Sequence, residues 1–186
     1  MQRNLLIDIA KCLLIFLVVL GHMPEGSSEL HRYIFWFHMP AFFIISGLFL
    51  RKEFSLKEEV KKKALRLLVP YAAFSIVFGT VARHGNLPKQ IIGTLISAGG
   101  IITDFTFPYY FITVLFLAYV FIYVLRKYSN HELLWVIAAY VVTHFLALFA
   151  HDKLNWVPWN VDMALCASLY LYVGSKYRNI VTENQG

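Results

Sequence analysis

The stretch LLIDIAKCLLIFLVVLGH, residues 5–22, combines an apolar run with three ionisable side chains, Asp8, Lys11 and His22. A run of roughly 17–25 mainly apolar residues is long enough to cross a bilayer as an α-helix. At ~100° per residue, Asp8 and Lys11 share one face of such a helix, and His22 lies about 20° from Lys11. The stretch therefore predicts a membrane helix with a polar face that runs from Asp8 to His22.

The whole sequence has the composition of a membrane protein. Of its 186 residues, 59% are hydrophobic, whereas a soluble domain has about 45–50%. Residues 91–103 are too short to span and predict an interfacial or re-entrant piece. We expect one domain over residues 1–186 with an all-α fold, a polytopic transmembrane helical bundle in the lipid bilayer. Its six predicted spans are residues 5–21, 33–50, 64–81, 107–125, 132–150 and 158–174.

The charged residues predict an orientation and exclude several function classes. With a cytoplasmic N-terminus, most of the 17 Lys and Arg residues fall in cytoplasmic loops, as the positive-inside rule requires, and both termini are then cytoplasmic. The net charge of +6 comes from these loops and predicts no nucleic-acid binding. Cys12 and Cys166 lie within apolar runs and predict no disulfide framework, and no zinc-ligand spacing is present.

The polar face of the first helix has two interpretations. In the first, Asp8 and Lys11 neutralise each other and His22 lies at the membrane–water interface. In the second, the three side chains line a path through the membrane that ends at His22 as a base. A histidine suits the second role because its unperturbed pKa lies near physiological pH.

The second span contains FWFHMPAFFIISGLFL, residues 35–50, in which another histidine, His38, lies two residues before Pro40. For His38, structural and functional roles are equally open. Gly47 favours a packing role, because small residues let membrane helices approach closely. No third or fourth ligand accompanies His22 and His38, so no metal site is expected.

These two segments closely resemble the start of the acyltransferase-3 family of integral-membrane O-acyltransferases, above all its fucose 4-O-acetylase-like branch. The family pattern reads Asp-x-x-Lys, Val-x-Gly-His and then Phe-His-Met-Pro-x-Phe-Phe-x-x-Ser-Gly. LRLLVPY (65–71) and WNVDMALCASLYLYVG (159–174) also resemble family segments, whereas Tyr110, Phe111 and Ile112 depart from a usual Trp-Phe-Leu type motif. The matching residues of the first two segments are Asp8, Lys11, Gly21, His22, Phe37, His38, Met39, Pro40, Phe42, Phe43, Ser46 and Gly47.

The resemblance implies an enzyme that transfers an acyl group, usually acetyl from acetyl-coenzyme A, to a hydroxyl of an extracytoplasmic sugar or cell-surface glycan. It also implies a multi-pass protein of the bacterial inner (plasma) membrane. The implied catalytic residues are His22, His38, Asp8 and Lys11. Arg66 and Lys11 would contact the coenzyme A donor, although Arg66 also fits ordinary cytoplasmic charge. The residues expected near the sugar are Asn160, Asp162 and Tyr110, the last of which also fits an interface anchor.

The family's membrane domain usually has more spans than this chain predicts. The resemblance covers its N-terminal part, so we expect a chain truncated at its C-terminus relative to the family. Self-association, or a partner that supplies the missing helices, follows as an expectation. Two other classes remain open: a small-molecule transporter or flippase, which moves its substrate without covalent change, and an inactive or partner-dependent membrane fragment.

Overall fold

The structure, a computed structural model, describes residues 4–22, 28–82, 110–154 and 157–183. These residues contain helices and no strand, which confirms the all-α prediction for this part of the chain. The predicted interfacial piece, residues 91–103, lies outside the described residues. The helices are α1 Leu5–Gly21, α2 Ser28–Gly47, α3 Leu56–Ala82, α4 Tyr110–Tyr128, α5 Glu132–Leu154 and α6 Val161–Glu183, with a 3₁₀ turn at Pro158–Asn160.

The first helix begins and ends as its sequence predicts. The Asn4 side chain accepts hydrogen bonds from the amides of Leu6 and Ile7, at 3.0 and 3.3 Å, which satisfies two amides that have no partner within the helix. The helix ends at Gly21, and His22 is the residue that follows it. The polar residues Asp8 and Lys11 thus lie on one uninterrupted helix.

Two helices of the described residues are long and apolar enough to cross a membrane. They are α4, over Tyr110–Tyr128, and α5, over Glu132–Phe149. Most of α5 is exposed, including Leu148 and Phe149 near its end. An exposed apolar surface along a whole helix is expected to face lipid or another protein. The six-span arrangement and the cytoplasmic termini stay predictions.

The chain divides into two compact units, residues 1–51 with 170–186 (the first unit) and residues 52–169 (the second unit). In the first unit α1 packs against α2. At Gly21 a methyl group would lie 3.1 Å from Cγ2 of Ile34, so the two helices are close there. Leu14 and Phe43 are buried in this unit.

The C-terminal half of α6 crosses α2 at two glycines of the first unit. A Cβ atom on Gly47 would overlap the carbonyl oxygen of Leu171, and one on Gly174 would overlap that of Ile44. The Arg178 guanidinium also donates a hydrogen bond to the carbonyl of Leu50, just after α2. The helices therefore meet backbone to backbone, in agreement with the packing role of Gly47.

The second unit is built around α4. Its buried Tyr123 hydroxyl donates a 3.2 Å hydrogen bond to the carboxylate of Glu59 on α3, which is only 6% exposed. The Phe54 ring packs on Tyr123 at 4.7 Å between centroids, and the Lys63 ammonium lies 3.6 Å from the centroid of Tyr119. These contacts join the start of α3 to α4.

Replacing Tyr123 by phenylalanine is expected to destabilise the fold by about 1–3 kcal/mol. The ring and its packing are kept, but the buried Glu59 carboxylate loses the hydrogen bond that the Tyr123 hydroxyl donates. The melting temperature of the detergent-solubilised chain measures the loss. Tyr128→Phe is the control, because Tyr128 is 71% exposed. This variant should have the melting temperature of the unmodified chain. Equal melting temperatures for both variants would contradict the prediction.

Candidate active site

His22 is held in one tautomer by the helix that precedes it. Its Nδ1 lies 2.7 Å from the carbonyl oxygen of Val18, one turn earlier in α1. A carbonyl only accepts hydrogen bonds, so Nδ1 carries the hydrogen and donates it. In the neutral ring Nε2 then keeps its lone pair. The His22 side chain is exposed among the described residues.

His38 has the same arrangement on α2 but is buried. Its Nδ1 donates to the carbonyl oxygen of Ile34 at 2.6 Å, and the side chain is only 1% exposed. The same tautomer therefore follows, with the lone pair on Nε2. Pro40 lies within α2, two residues further on, and the helix continues through it. The two predicted histidines thus differ in access to solvent and not in tautomer.

Phe35 brings the two histidines together. Its ring centroid lies 5.3 Å from that of His22, edge to face, and 5.3 Å from that of His38. The two imidazoles therefore cannot be more than twice that distance apart. Sequence reasoning did not single out Phe35, although its spacing of three residues from His38 already placed both on one face of a helix.

Lys11 contacts the turn that follows α2. Its ammonium nitrogen lies 4.1 Å from the centroid of the Phe49 ring, a cation–π contact. Asp8 lies one turn earlier on the same face of α1. Along a helix axis Lys11 and His22 are about 16 Å apart, so they cannot act on the same atom. Phe49 could not have been found from sequence, because the contact joins different helical segments.

The remaining predicted residues belong to the second unit. Arg66 is exposed on α3, Tyr110 begins α4 and is partly buried, and Asn160 is only 5% exposed. The carboxylate oxygen Oδ1 of Asp162 is buried without a hydrogen-bond partner among the described residues. A buried acceptor of this kind is costly, so a polar group of a ligand would be stabilised there.

The backbone before Asp162 is strained. Trp159 and Asn160 have φ values of 58° and 49°, in the left-handed region. A bulky residue adopts this region only when its surroundings hold it there. The Trp159 ring contacts Phe116 of α4 at 6.3 Å between centroids. Strain of this kind is concentrated at functional sites, which supports a role for this turn.

Among the described residues, no three of the His, Cys, Asp and Glu side chains are grouped so that they could hold a metal ion. His144 and Cys166 approach each other at 3.8 Å, but His144 Nδ1 also contacts the carbonyl of Tyr140 at 2.9 Å. That nitrogen therefore donates and cannot activate the thiol.

Comparison with known proteins decides the family. Residues 4–178, nearly the whole chain, match the acyltransferase domain of acyltransferase-3 proteins. The chain belongs to the acyltransferase-3 family. The resemblance carried by residues 5–22 and 35–50 is thereby confirmed.

The chain is also similar to a curated protein over most of its own length. The nodulation protein NolL of Mesorhizobium japonicum (strain LMG 29417 / CECT 9101 / MAFF 303099) is 31% identical over 173 residues, which cover 84% of this chain and 44% of NolL. The chain thus spans less than half the length of this relative. No solved structure matches the chain.

Within this acyltransferase-3 chain, the described contacts assemble one group of predicted residues in the first unit. His22 and His38 meet at Phe35, and Lys11 lies further along α1. The arrangement places an imidazole with its lone pair on Nε2 at one end of α1 and a cation towards the other. Acyl transfer to a hydroxyl is accelerated by a base that removes the hydroxyl proton and by groups that stabilise the developing oxyanion.

Proposed function

We propose that this chain transfers an acetyl group from acetyl-coenzyme A to a hydroxyl of an extracytoplasmic sugar or cell-surface glycan. Acyl transfer is the general chemistry of the family; the acetyl donor and the glycan acceptor are our proposal. The proposal includes a multi-pass position in the inner membrane of a bacterium. It also includes self-association, or a partner chain that contributes further helices.

The observation that carries the proposal is the hydrogen bond from His22 Nδ1 to Val18. It fixes the ring so that Nε2 is the basic nitrogen, on an exposed side chain. A sugar hydroxyl is a poor nucleophile until a base removes its proton. A histidine held in the required tautomer supplies that base without reorganisation at the moment of reaction.

In the proposed reaction, Nε2 of His22 accepts the hydroxyl proton as the sugar oxygen attacks the thioester carbonyl. A carbon–oxygen bond forms, and the carbon–sulfur bond breaks. The thiolate of coenzyme A leaves and recovers a proton from the His22 imidazolium. His38, behind the shared Phe35 ring, is a positioning residue for His22 in this scheme, and no metal ion is required.

Other charged and polar residues have roles on the two substrates in this proposal. Lys11, next to Asp8 on α1, supplies positive charge for the donor, and Arg66 contacts a phosphate of coenzyme A. Asn160, Asp162 and Tyr110 bind sugar hydroxyls. Oδ1 of Asp162, which is buried without a hydrogen-bond partner among the described residues, supports this role, because a sugar hydroxyl would donate a hydrogen bond to it.

The test is transfer of label from acetyl-coenzyme A in membranes that contain this chain. Label in the acetyl group should appear in a glycan as an ester that mild base releases. Label in the adenine of the same donor should not be transferred. Membranes without the chain give the background. A transporter or flippase would move an unmodified substrate, and an inactive fragment would give background only; either result contradicts the proposal.

A further inference from the structure

A basic cavity lies in the second unit, between the start of α3 and the end of α4. Its volume is about 530 Å³, within the usual range for small-molecule sites. Four of its lining side chains are cations, Lys52, Lys57, Arg126 and Lys127. None of them is among the residues proposed to act on the donor or the acceptor.

The walls of the cavity are held in place by packing. Phe54 is anchored on Tyr123 at 4.7 Å, and Tyr123 is hydrogen-bonded to Glu59 on the first turn of α3. On the opposite wall, Arg126 forms a 2.8 Å ion pair with Glu132. Two lining residues, Phe54 and Arg126, are therefore held in place by these contacts.

The charges of the cavity are not balanced by its own carboxylates. Glu53 lines the cavity, and Glu132 neutralises Arg126. Lys52, Lys57 and Lys127 have no ion pair among the described residues, and all three are exposed. An anionic ligand with several oxygen acceptors would offset this excess of positive charge.

We propose that this cavity binds a phosphate-bearing group, either the headgroup of an anionic lipid or a soluble phosphorylated molecule. Phosphate oxygens accept several hydrogen bonds, and their negative charge complements the three lysines, which outnumber the one lining carboxylate, Glu53. The apolar surface of Phe54 accommodates the part of the ligand next to the phosphate. This proposal does not depend on acyl transfer.

Two variants with equal loss of charge test it. Lys57→Gln with Lys127→Gln removes two cations from the cavity. Lys61→Gln with Lys176→Gln removes two exposed cations that do not line it. All four positions are exposed, so both double variants should fold. In size-exclusion chromatography in a neutral detergent, both should elute at the volume of the unmodified chain.

Labelled inorganic pyrophosphate, measured by equilibrium dialysis, is the probe for a soluble ligand. Binding to the cavity double should be about tenfold weaker than to the control double, and it should weaken as salt is added. Retention of phosphatidylglycerol from nanodiscs, measured by native mass spectrometry, is the probe for a lipid. Loss of retained lipid in the cavity double alone would identify the headgroup as the source.

Either selective loss supports the phosphate site and identifies its source. Equal losses in the two doubles would show that general surface charge attracts the probes, which overturns the proposal. Failure of the unmodified chain to bind either probe also overturns it. Neither result bears on the acetyl-transfer test, so the two proposals can fail separately.

Discussion

Glutamine in place of His22 is expected to lower the rate of acyl transfer by a factor of about 10²–10⁴, the usual contribution of a general base. The glutamine amide can still donate a hydrogen bond to Val18, so the local structure is kept. It cannot accept a proton from a sugar hydroxyl at neutral pH. The measurement is the rate at which labelled acetyl is transferred from acetyl-coenzyme A to glycan, with equal amounts of folded variant and unmodified chain.

His144→Gln is the matched control for this variant. His144 is also exposed, and its Nδ1 makes the same contact with the carbonyl four residues earlier, at 2.9 Å. It lies on α5 of the second unit and is not among the described contacts of Phe35, so its replacement should leave transfer unchanged. If both variants lost activity equally, the loss would reflect a structural effect of removing such a histidine. Full activity of His22→Gln would contradict the role of His22 as base.

Alanine in place of Gly174 is expected to destabilise the first unit by about 3 kcal/mol, at the upper end of the range for overpacking. The new methyl group would overlap the backbone carbonyl of Ile44, which cannot turn away as a side chain can. The α2–α6 crossing must then separate and lose its close contacts. By the scaling for chains of this length, the melting temperature should fall by about 10 °C.

Gly21→Ala provides the comparison. Its methyl group would lie 3.1 Å from Cγ2 of Ile34, the end of a side chain that can shift. Its loss of stability should be less than half that of Gly174→Ala. Melting of both variants in the same detergent tests the difference. A larger loss for Gly21→Ala would mean that the α1–α2 contact, and not the α2–α6 crossing, limits the packing of the unit.

Much of the fold was predictable because it depends on local sequence. The first span was predicted with the bounds of α1, since an apolar run between Asn4 and Gly21 contains its own start and stop signals. The prediction for the third span was less accurate. Residues 64–81 lie within a longer helix, α3, because the charged residues before them are also good helix formers.

Candidate site residues were predictable only where they belong to one continuous sequence motif. The sequence alone indicated the family and the helical class and supplied His22, His38 and Lys11 as candidates, because motif spacing and apolar periodicity are properties of neighbouring residues. Only the tertiary structure decided that Phe35 joins the two histidines, that Phe49 contacts Lys11, and that the start of α3 and the end of α4 form a basic cavity. The contact at Phe49 and the cavity join residues far apart in the chain, and their existence depends on how whole helices pack.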